Sequence, residues 1–138
     1  MSKAEPIIQK YMTYQPNAIE SSESLEEASK MMSELQIRHL PVMEQNKVVG
    51  VISDRDIKSV LSIAGVFSEK TLIKDICHEN PYQVSPDTPL HEVVDEMAEK
   101  HYGCALVIQN ENLVGVFTTV DVCKTLSELL QQRFHSQS

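Results

Sequence analysis

An α+β fold built from two β-α-β-β-α copies follows from three observations on this chain. The first is a gapless repetition at an interval of 65 residues, from Gly50 to Gly115: Gly50-Val51-Ile52-Ser53-Asp54-Arg55-Asp56 returns as Gly115-Val116-Phe117-Thr118-Thr119-Val120-Asp121. The same shift lays Pro16 on Pro81, Leu25 on Leu90, Glu27 on Glu92, Met32 on Met97, Val42 on Val107, Val49 on Val114 and Leu61 on Leu126. The second is a pair of apolar runs around a short polar turn in each copy, the pattern of a β-hairpin. The third is a set of apolar residues at helical spacing on either side of each hairpin. Repetition at this period makes each copy one structural unit that buries its apolar face against its twin.

The elements follow in order. Pro6 to Tyr11 leads into the first copy, which spans 8–64. Ala18-Ile19 is briefly extended, and the cluster Ser21 to Ser24 marks a helix start. Ser24 with Glu27 three residues on matches a capping box. Leu25, Ala28, Met32 and Leu35 then predict one apolar stripe. Leu40 to Met43, the turn Gln45-Asn46-Lys47 and Val48 to Ile52 form the hairpin, and Asp54 to Ala64 a second helix with Ile57, Val60 and Leu61 on one side. Gly65 to Glu69 is a linker. The second copy spans 71–130, and the two copies make a single module. Gln83-Val84 is extended, and Thr88-Pro89 opens a helix, with Pro suited to the first helical position. Leu90, Val93, Val94 and Met97 form its stripe. Cys104 to Ile108 and Leu113 to Phe117 flank the turn Gln109 to Asn112. Thr119 to Arg133 is the last helix, and His135 to Ser138 is expected to fray.

With 138 residues the chain suffices for one ordinary domain. Aromatic residues are only 5% and Trp is absent, so the core is expected to be Val, Ile, Leu and Met. A net charge of −8 argues against a nucleic-acid partner, which needs a basic face. No stretch approaches the roughly twenty apolar residues of a membrane span, and the residues after Met1 lack a signal-peptide core. Cys77, Cys104 and Cys123 are odd in number and form no CxxC, which fits reduced thiols and a cytoplasmic protein without a membrane partner.

His39-Leu40-Pro41-Val42 followed by Val49-Gly50-Val51-Ile52-Ser53-Asp54-Arg55-Asp56-Ile57 resembles the CBS domain, the family named after cystathionine β-synthase. The resemblance covers about residues 8 to 128. The second copy departs from it, with Cys77-His78 where the first has Met12-Thr13 and Ala105-Leu106 where the first has Leu40-Pro41, yet keeps its glycine, threonine and aspartate. The resemblance implies two copies packed sheet to sheet about a pseudo-twofold axis, with two clefts that take AMP, ADP, ATP or S-adenosylmethionine as a regulatory ligand and no obligatory cofactor. It also implies a homodimer.

The residues suit that chemistry. Gly50 and Gly115 lie near a strand end, where a missing side chain admits a ligand. Ser53 and Thr118 sit at a strand-to-helix junction beside free N–H groups and the positive end of a helix dipole, a favourable place for phosphate. Asp56 and Asp121, one turn on, can accept from two ribose hydroxyls. The resemblance assigns these aspartates to ribose, and Ser53 and Thr118, with Thr119 beside the latter, to ribose or phosphate. Arg38, His39, Arg55 and Lys58 supply positive charge to the first copy, whereas their counterparts Gly103, Cys104, Val120 and Cys123 are uncharged; Arg55, inside the motif, is the better phosphate partner. By analogy with the family, Thr13 to Ile19 with Ile37 to Pro41 line one adenine slot. His78 to Val84 with Tyr102 to Leu106, Cys104 and Ala105 among them, line the other. Tyr82 and Tyr102 are more suited to half-buried packing than to stacking on a base.

The same Ser-x-x-Asp and Thr-x-x-Asp strings also read as plain helix caps. The cysteines read as buried and inert, His91 and His101 as solvated, and no catalytic constellation or Walker-type loop is present. The sequence therefore points to a non-enzymatic adenine-nucleotide sensor acting through an effector protein, whose identity the sequence does not give, or through homodimer rearrangement. A second reading is a structural dimerisation module with unoccupied clefts. A weaker third is a metal or redox sensor on Cys77, His78 and Cys104.

Overall fold

Both hairpins form, and each organises its own sheet and its own pair of long helices. The computed structural model describes residues 5–14, 16–64 and 71–135. The expected linker Gly65 to Glu69 and the last three residues of the expected frayed end lie outside them. The elements are α1 (Ile8–Tyr11), β1 (Thr13–Tyr14), β2 (Ile19–Glu20), α2 (Leu25–Leu35), β3 (His39–Glu44), β4 (Lys47–Ser53) and α3 (Asp54–Ala64), then a 3-10 turn at Ile73–Asp75. They continue with β5 (Gln83–Val84), α4 (Leu90–Lys100), β6 (Cys104–Gln109), β7 (Asn112–Thr118) and α5 (Thr119–Phe134). The mixed α+β class and the β-α-β-β-α order of each copy are as expected.

Two compact units result. The first holds Pro16–Pro81 with Asn110–Leu113; the second holds Tyr82–Gln109 and the chain from Val114 on, together with the N-terminal segment. In the first unit β2 lies parallel to β3 and β3 antiparallel to β4, with His39 opposite Ser53. In the second the strand order is β1-β7-β6-β5, with β5 parallel to β6. Each hairpin turns through two residues of positive φ, Gln45 and Asn46 in one, Asn110 and Glu111 in the other. That conformation suits a tight two-residue turn, and asparagine tolerates it better than most residues.

The segments that open the two copies change places. The N-terminal stretch, at the start of the first copy, pairs with the second: Thr13 lies opposite Val116 and Tyr14 opposite Gly115. The stretch that opens the second copy pairs with the first, where the His78 N–H donates to the Val51 carbonyl at 2.9 Å and the Val51 N–H donates back to the His78 carbonyl at 3.1 Å. Ile8 N–H reaches the Thr88 carbonyl and Ile73 N–H the Glu23 carbonyl, each at 2.9 Å. Ile8 and Ile73 are both fully buried, as plugs at equivalent positions of the two cores.

Those cores match position by position but not atom by atom. Ile19, Leu25, Ala28, Met32, Leu40, Val42, Ile52 and Ile57 surround Ile73 in one. Leu90, Val93, Met97, Ala105, Val107 and Phe117 surround Ile8 and Met12 in the other. Between equivalent positions Leu40 shrinks to Ala105, while Ala28 grows to Val93 and Ile52 to Phe117, so side-chain volume lost at one position is offset at others. Leu35, expected in the stripe of α2, is 43% exposed: the helix is ending there, at Gln36 in the left-handed region, and no core residue remains to be met. Pro89 is the N-cap of α4 and Leu90 its first residue, one position later than expected.

Gly50 and Gly115 make room for the crossing segments. A Cβ on Gly50 would lie 2.6 Å from the His78 carbonyl oxygen, and one on Gly115 would strike the Met12 side chain. The expected opening for a ligand at these glycines is therefore filled by the chain itself. Gly50→Ala should cost on the order of 1–3 kcal/mol, because a backbone carbonyl cannot yield. Gly115→Ala should cost less, since a thioether can swing aside. Urea unfolding of the two variants measures this, and equal costs would contradict the packing described.

Candidate functional site

Each copy brings its motif to a strand-to-helix junction. In the first unit β4 ends at Ser53 and α3 begins at Asp54. The Asp56 carboxylate folds back one turn, and its Oδ2 accepts from the Ser53 N–H at 2.9 Å and the Ser53 hydroxyl at 2.8 Å. The Asp56 N–H in turn donates to Ser53 Oγ at 3.1 Å. The same reciprocal box closes between Thr118 and Asp121 in the second unit, with Oδ2 at 2.8 Å from the Thr118 N–H and 3.1 Å from its hydroxyl. Both strings cap helices, and both leave a carboxylate held in one orientation at the rim of the unit.

The first-turn amides are only partly available. Asp54 N–H donates to the Arg38 carbonyl at 2.8 Å and Thr119 N–H to the Gly103 carbonyl at 3.2 Å. With Asp56 and Asp121 N–H taken by the caps, Arg55 and Val120 carry the first-turn amides without a partner among the described residues. The expectation of several free N–H groups thus reduces to one per junction.

The first junction carries more charge. His78 Nε2 lies 2.9 Å from Asp56 Oδ1, and the imidazole side is well exposed while Asp56 is mostly covered. Burial alone would raise the Asp56 carboxyl; the bonds from Ser53 and from His78 outweigh it and hold the group below the ordinary aspartate value. His39, across from Ser53, is half-buried. Burial, reinforced by the Arg38 guanidinium, keeps its imidazole below the ordinary value against the opposite pull of Asp56 and Asp54. Arg38 and Arg55 are exposed. Lys58 pairs with Asp54 at 2.9 Å along α3, as a solvated surface residue does.

The second junction is less polar. Thr13 stands on β1 opposite Val116, the position His78 takes opposite Val51 in the first unit. The Thr119 hydroxyl donates to the Gly103 carbonyl at 3.4 Å. Tyr82 and Tyr102 stack on each other, ring centroids 5.1 Å apart and planes at 22°. Val84, on β5 two residues after Tyr82, is half-buried and pairs with Val107.

The remaining expected site residues face inward. Ile19, Pro41, Cys104 and Ala105 are buried, and Ile19 and Ala105 belong to the two cores, so a ligand would meet them through backbone only. Thr13 shares a unit with Asp121, whereas Ile19, Arg38, His39 and Pro41 share the other with Asp56; His78 sits with Asp56 and Tyr102 with Asp121. The slot expected from Thr13 to Ile19 is thus distributed over both units, and so is the one running from His78 to Val84. His78 as the partner of Asp56 was missed, although the 65-residue shift laying His78 on Thr13 carried the signal. Cys104 is buried, with its thiol pushed up to about 11 by desolvation, but Cys123 is exposed on α5 and Cys77 only half-buried, against the expectation of three buried thiols. Among the described residues no group of three or more His, Cys, Asp or Glu side chains is placed to hold a metal ion, and no helix is long and apolar enough to cross a membrane. His91 and His101 are exposed as expected, His91 pairing with Glu5.

Two sheet-and-helix units, each with a carboxylate-capped junction, define a tandem α+β repeat protein. The family model for the CBS domain matches residues 8–63 and 73–128, and the chain belongs to that family. An uncharacterised protein of Methanocaldococcus jannaschii is 25% identical over 130 residues, 94% of this chain and 40% of the relative. An inosine-5′-monophosphate dehydrogenase of Korarchaeum cryptofilum is 30% identical over 125 residues, 88% of this chain and 25% of that enzyme. The chain thus spans less than half the length of these relatives. Among solved structures, a Vibrio cholerae protein ascribed to acetoin utilization matches with a TM-score of 0.87 at 26% identity, over 95% of this chain and 98% of its own. A CBS domain pair solved with 5′-methylthioadenosine and S-adenosyl-L-methionine matches with a TM-score of 0.82 at 23% identity, over 91% and 99%. The Arabidopsis thaliana protein CBSX2, solved with AMP, matches at 0.74 and 21%, over 89% and 97%.

The half-buried His39 has a consequence in solution. An unfolded chain takes up a proton at His39 near pH 6.5, while the folded one resists it until a lower pH. The stability this group contributes is therefore present above about pH 6.5 and lost as the pH falls through the lowered value. Urea midpoints of the wild type should drop below pH 6.5 more steeply than those of His39→Asn. Parallel pH profiles would contradict the placement of His39.

Proposed function

We propose that this chain is a regulatory module that senses an adenosine ligand, AMP or ATP first among the candidates, and is not itself an enzyme. The observation that carries this reading is the oriented carboxylate at each junction. Asp56 and Asp121 are held by the Ser or Thr before them with carboxylate oxygen left to accept from a ribose diol, which gives strong, directional hydrogen bonds. The Arg55 amide, without a partner among the described residues, lies in the first turn of α3 beside Asp56 in sequence, and the exposed Arg38 and Arg55 side chains supply the positive charge a phosphate needs; S-adenosylmethionine needs no phosphate site and is a second candidate. The adenosine ligands of two structural neighbours support the same class of ligand. Output passes through a partner protein or through rearrangement of a homodimer, and a ligand shifts either equilibrium only by its differential affinity for the two states.

A second reading, a structural dimerisation module, is favoured by one observation. Val120, Leu126, Leu130 and Phe134 are exposed along α5 at 58%, 56%, 45% and 67%, and this much apolar surface on one helix suits a second copy of the chain. The two readings part on one point: the sensor binds an adenosine ligand, and the dimerisation module leaves its clefts unoccupied.

A thermal-shift series with AMP, ADP, ATP, S-adenosylmethionine and NAD separates the readings. A ligand present at a hundred times its dissociation constant adds about 2.7 kcal/mol of stability. The expected result is a rise in Tm for one adenosine ligand that is lost in Asp56→Ala/Asp121→Ala. No rise for any of them leaves the dimerisation module.

A further inference from the structure

The two carboxylates look alike in sequence but are not equally open. An ionised carboxylate offers about four acceptor positions. Asp121 spends two of them, both on Oδ2, and its Oδ1 has no partner among the described residues. Asp56 spends three, because His78 Nε2 lies 2.9 Å from its Oδ1. A ribose diol engages a carboxylate best with one hydroxyl on each oxygen, and at Asp56 the second oxygen is already taken.

The difference comes from the crossing segments. Val51 and Val116 are equivalent positions, and the residue opposite them is His78 in one unit and Thr13 in the other. A histidine spans the gap to the aspartate; threonine is too short and makes no bond to Asp121 among the described residues. His78 is anchored by its backbone, with both its N–H and its carbonyl on Val51, while its ring is exposed and free to rotate away.

We propose that His78 is a built-in competitor for the ribose position of the first motif, so that a ligand carrying a vicinal diol fills the Thr118–Asp121 motif first. This rests on the adenosine-ligand reading. At the first motif the ligand must displace the His78 ring from Asp56, and the side chain acts as an occupancy-setting residue rather than as a ligand contact. Such a device makes the module respond over two concentration ranges instead of one.

The test is a titration of the full chain with adenosine, which carries the diol without the phosphate that Arg38 and Arg55 would draw to the first motif, followed by backbone amide NMR signals of Ser53, Asp56, Thr118 and Asp121, in the wild type and in His78→Ala. Thermal denaturation confirms that the variant is folded, as an exposed ring predicts, and His78→Gln, which retains a donor, provides a second variant. In the wild type the Thr118 and Asp121 signals should move at lower adenosine than those of Ser53 and Asp56. His78→Ala should bring the Ser53 and Asp56 response to about tenfold lower adenosine, the worth of one charge-assisted hydrogen bond, with His78→Gln in between. An unchanged or weakened first-motif response in His78→Ala overturns the competitor while the second-motif response upholds the nucleotide reading. No response to adenosine or to AMP at either motif in any of the proteins overturns both.

Discussion

Everything at the two junctions depends on a backbone pairing made by a segment that belongs, in sequence, to the other copy. The stretch after the first copy lies on β4 through His78 and Val51, and the N-terminal stretch lies on β7 through Thr13, Tyr14 and their partners. Gly50 is required beneath its crossing because the His78 backbone approaches too closely for a side chain, whereas Gly115 makes room for the more yielding Met12 side chain. The same crossings drive Ile73 and Ile8 into the two cores, where both are fully buried. One pairing per unit therefore closes a core, seals the strand and sets which residue stands beside the capping carboxylate.

In the proposed reading that carboxylate has two roles which the chemistry does not force apart. As a cap it satisfies the N–H and hydroxyl of the preceding Ser or Thr and ends the strand cleanly. As an acceptor it presents its remaining lone pairs in a fixed direction. The cap supplies the preorganisation that ligand binding otherwise has to impose, and binding costs less when the groups are already placed. Sequence divergence between the copies then acts on the surroundings and spares the box itself. The first junction keeps Arg38, His39, Arg55 and His78; the second has Gly103, Cys104, Val120 and Thr13.

Much of this was legible in the sequence, for local reasons. Helices α2 to α5 and both hairpins are set by apolar spacing, caps and polar turns within a dozen residues, and they lie where those signals put them. The Ser53–Asp56 and Thr118–Asp121 boxes are likewise short-range. The crossings were not legible, since a two-residue strand such as Thr13–Tyr14 has no periodicity of its own and its partner lies about a hundred residues away. Leu35 departs from its stripe for a related reason, since helical spacing gives a face but not where the core beneath it ends; Cys123 departs because the general tendency of cysteine to be buried says nothing about which side of α5 it occupies. The Tyr82–Tyr102 stack needed two residues that approach only once β5 and β6 are in register.

Deleting residues 1–14 and following amide hydrogen exchange tests the crossing account most directly. The account predicts that protection falls along β7 and β6 and in α4, where Ile8 and Met12 no longer fill the second core, while Val51, Ile52 and Leu40 in the first unit stay protected. Selective loss of protection in β3 and β4, with β7 unchanged, would contradict it and return the N-terminal segment to the copy it opens.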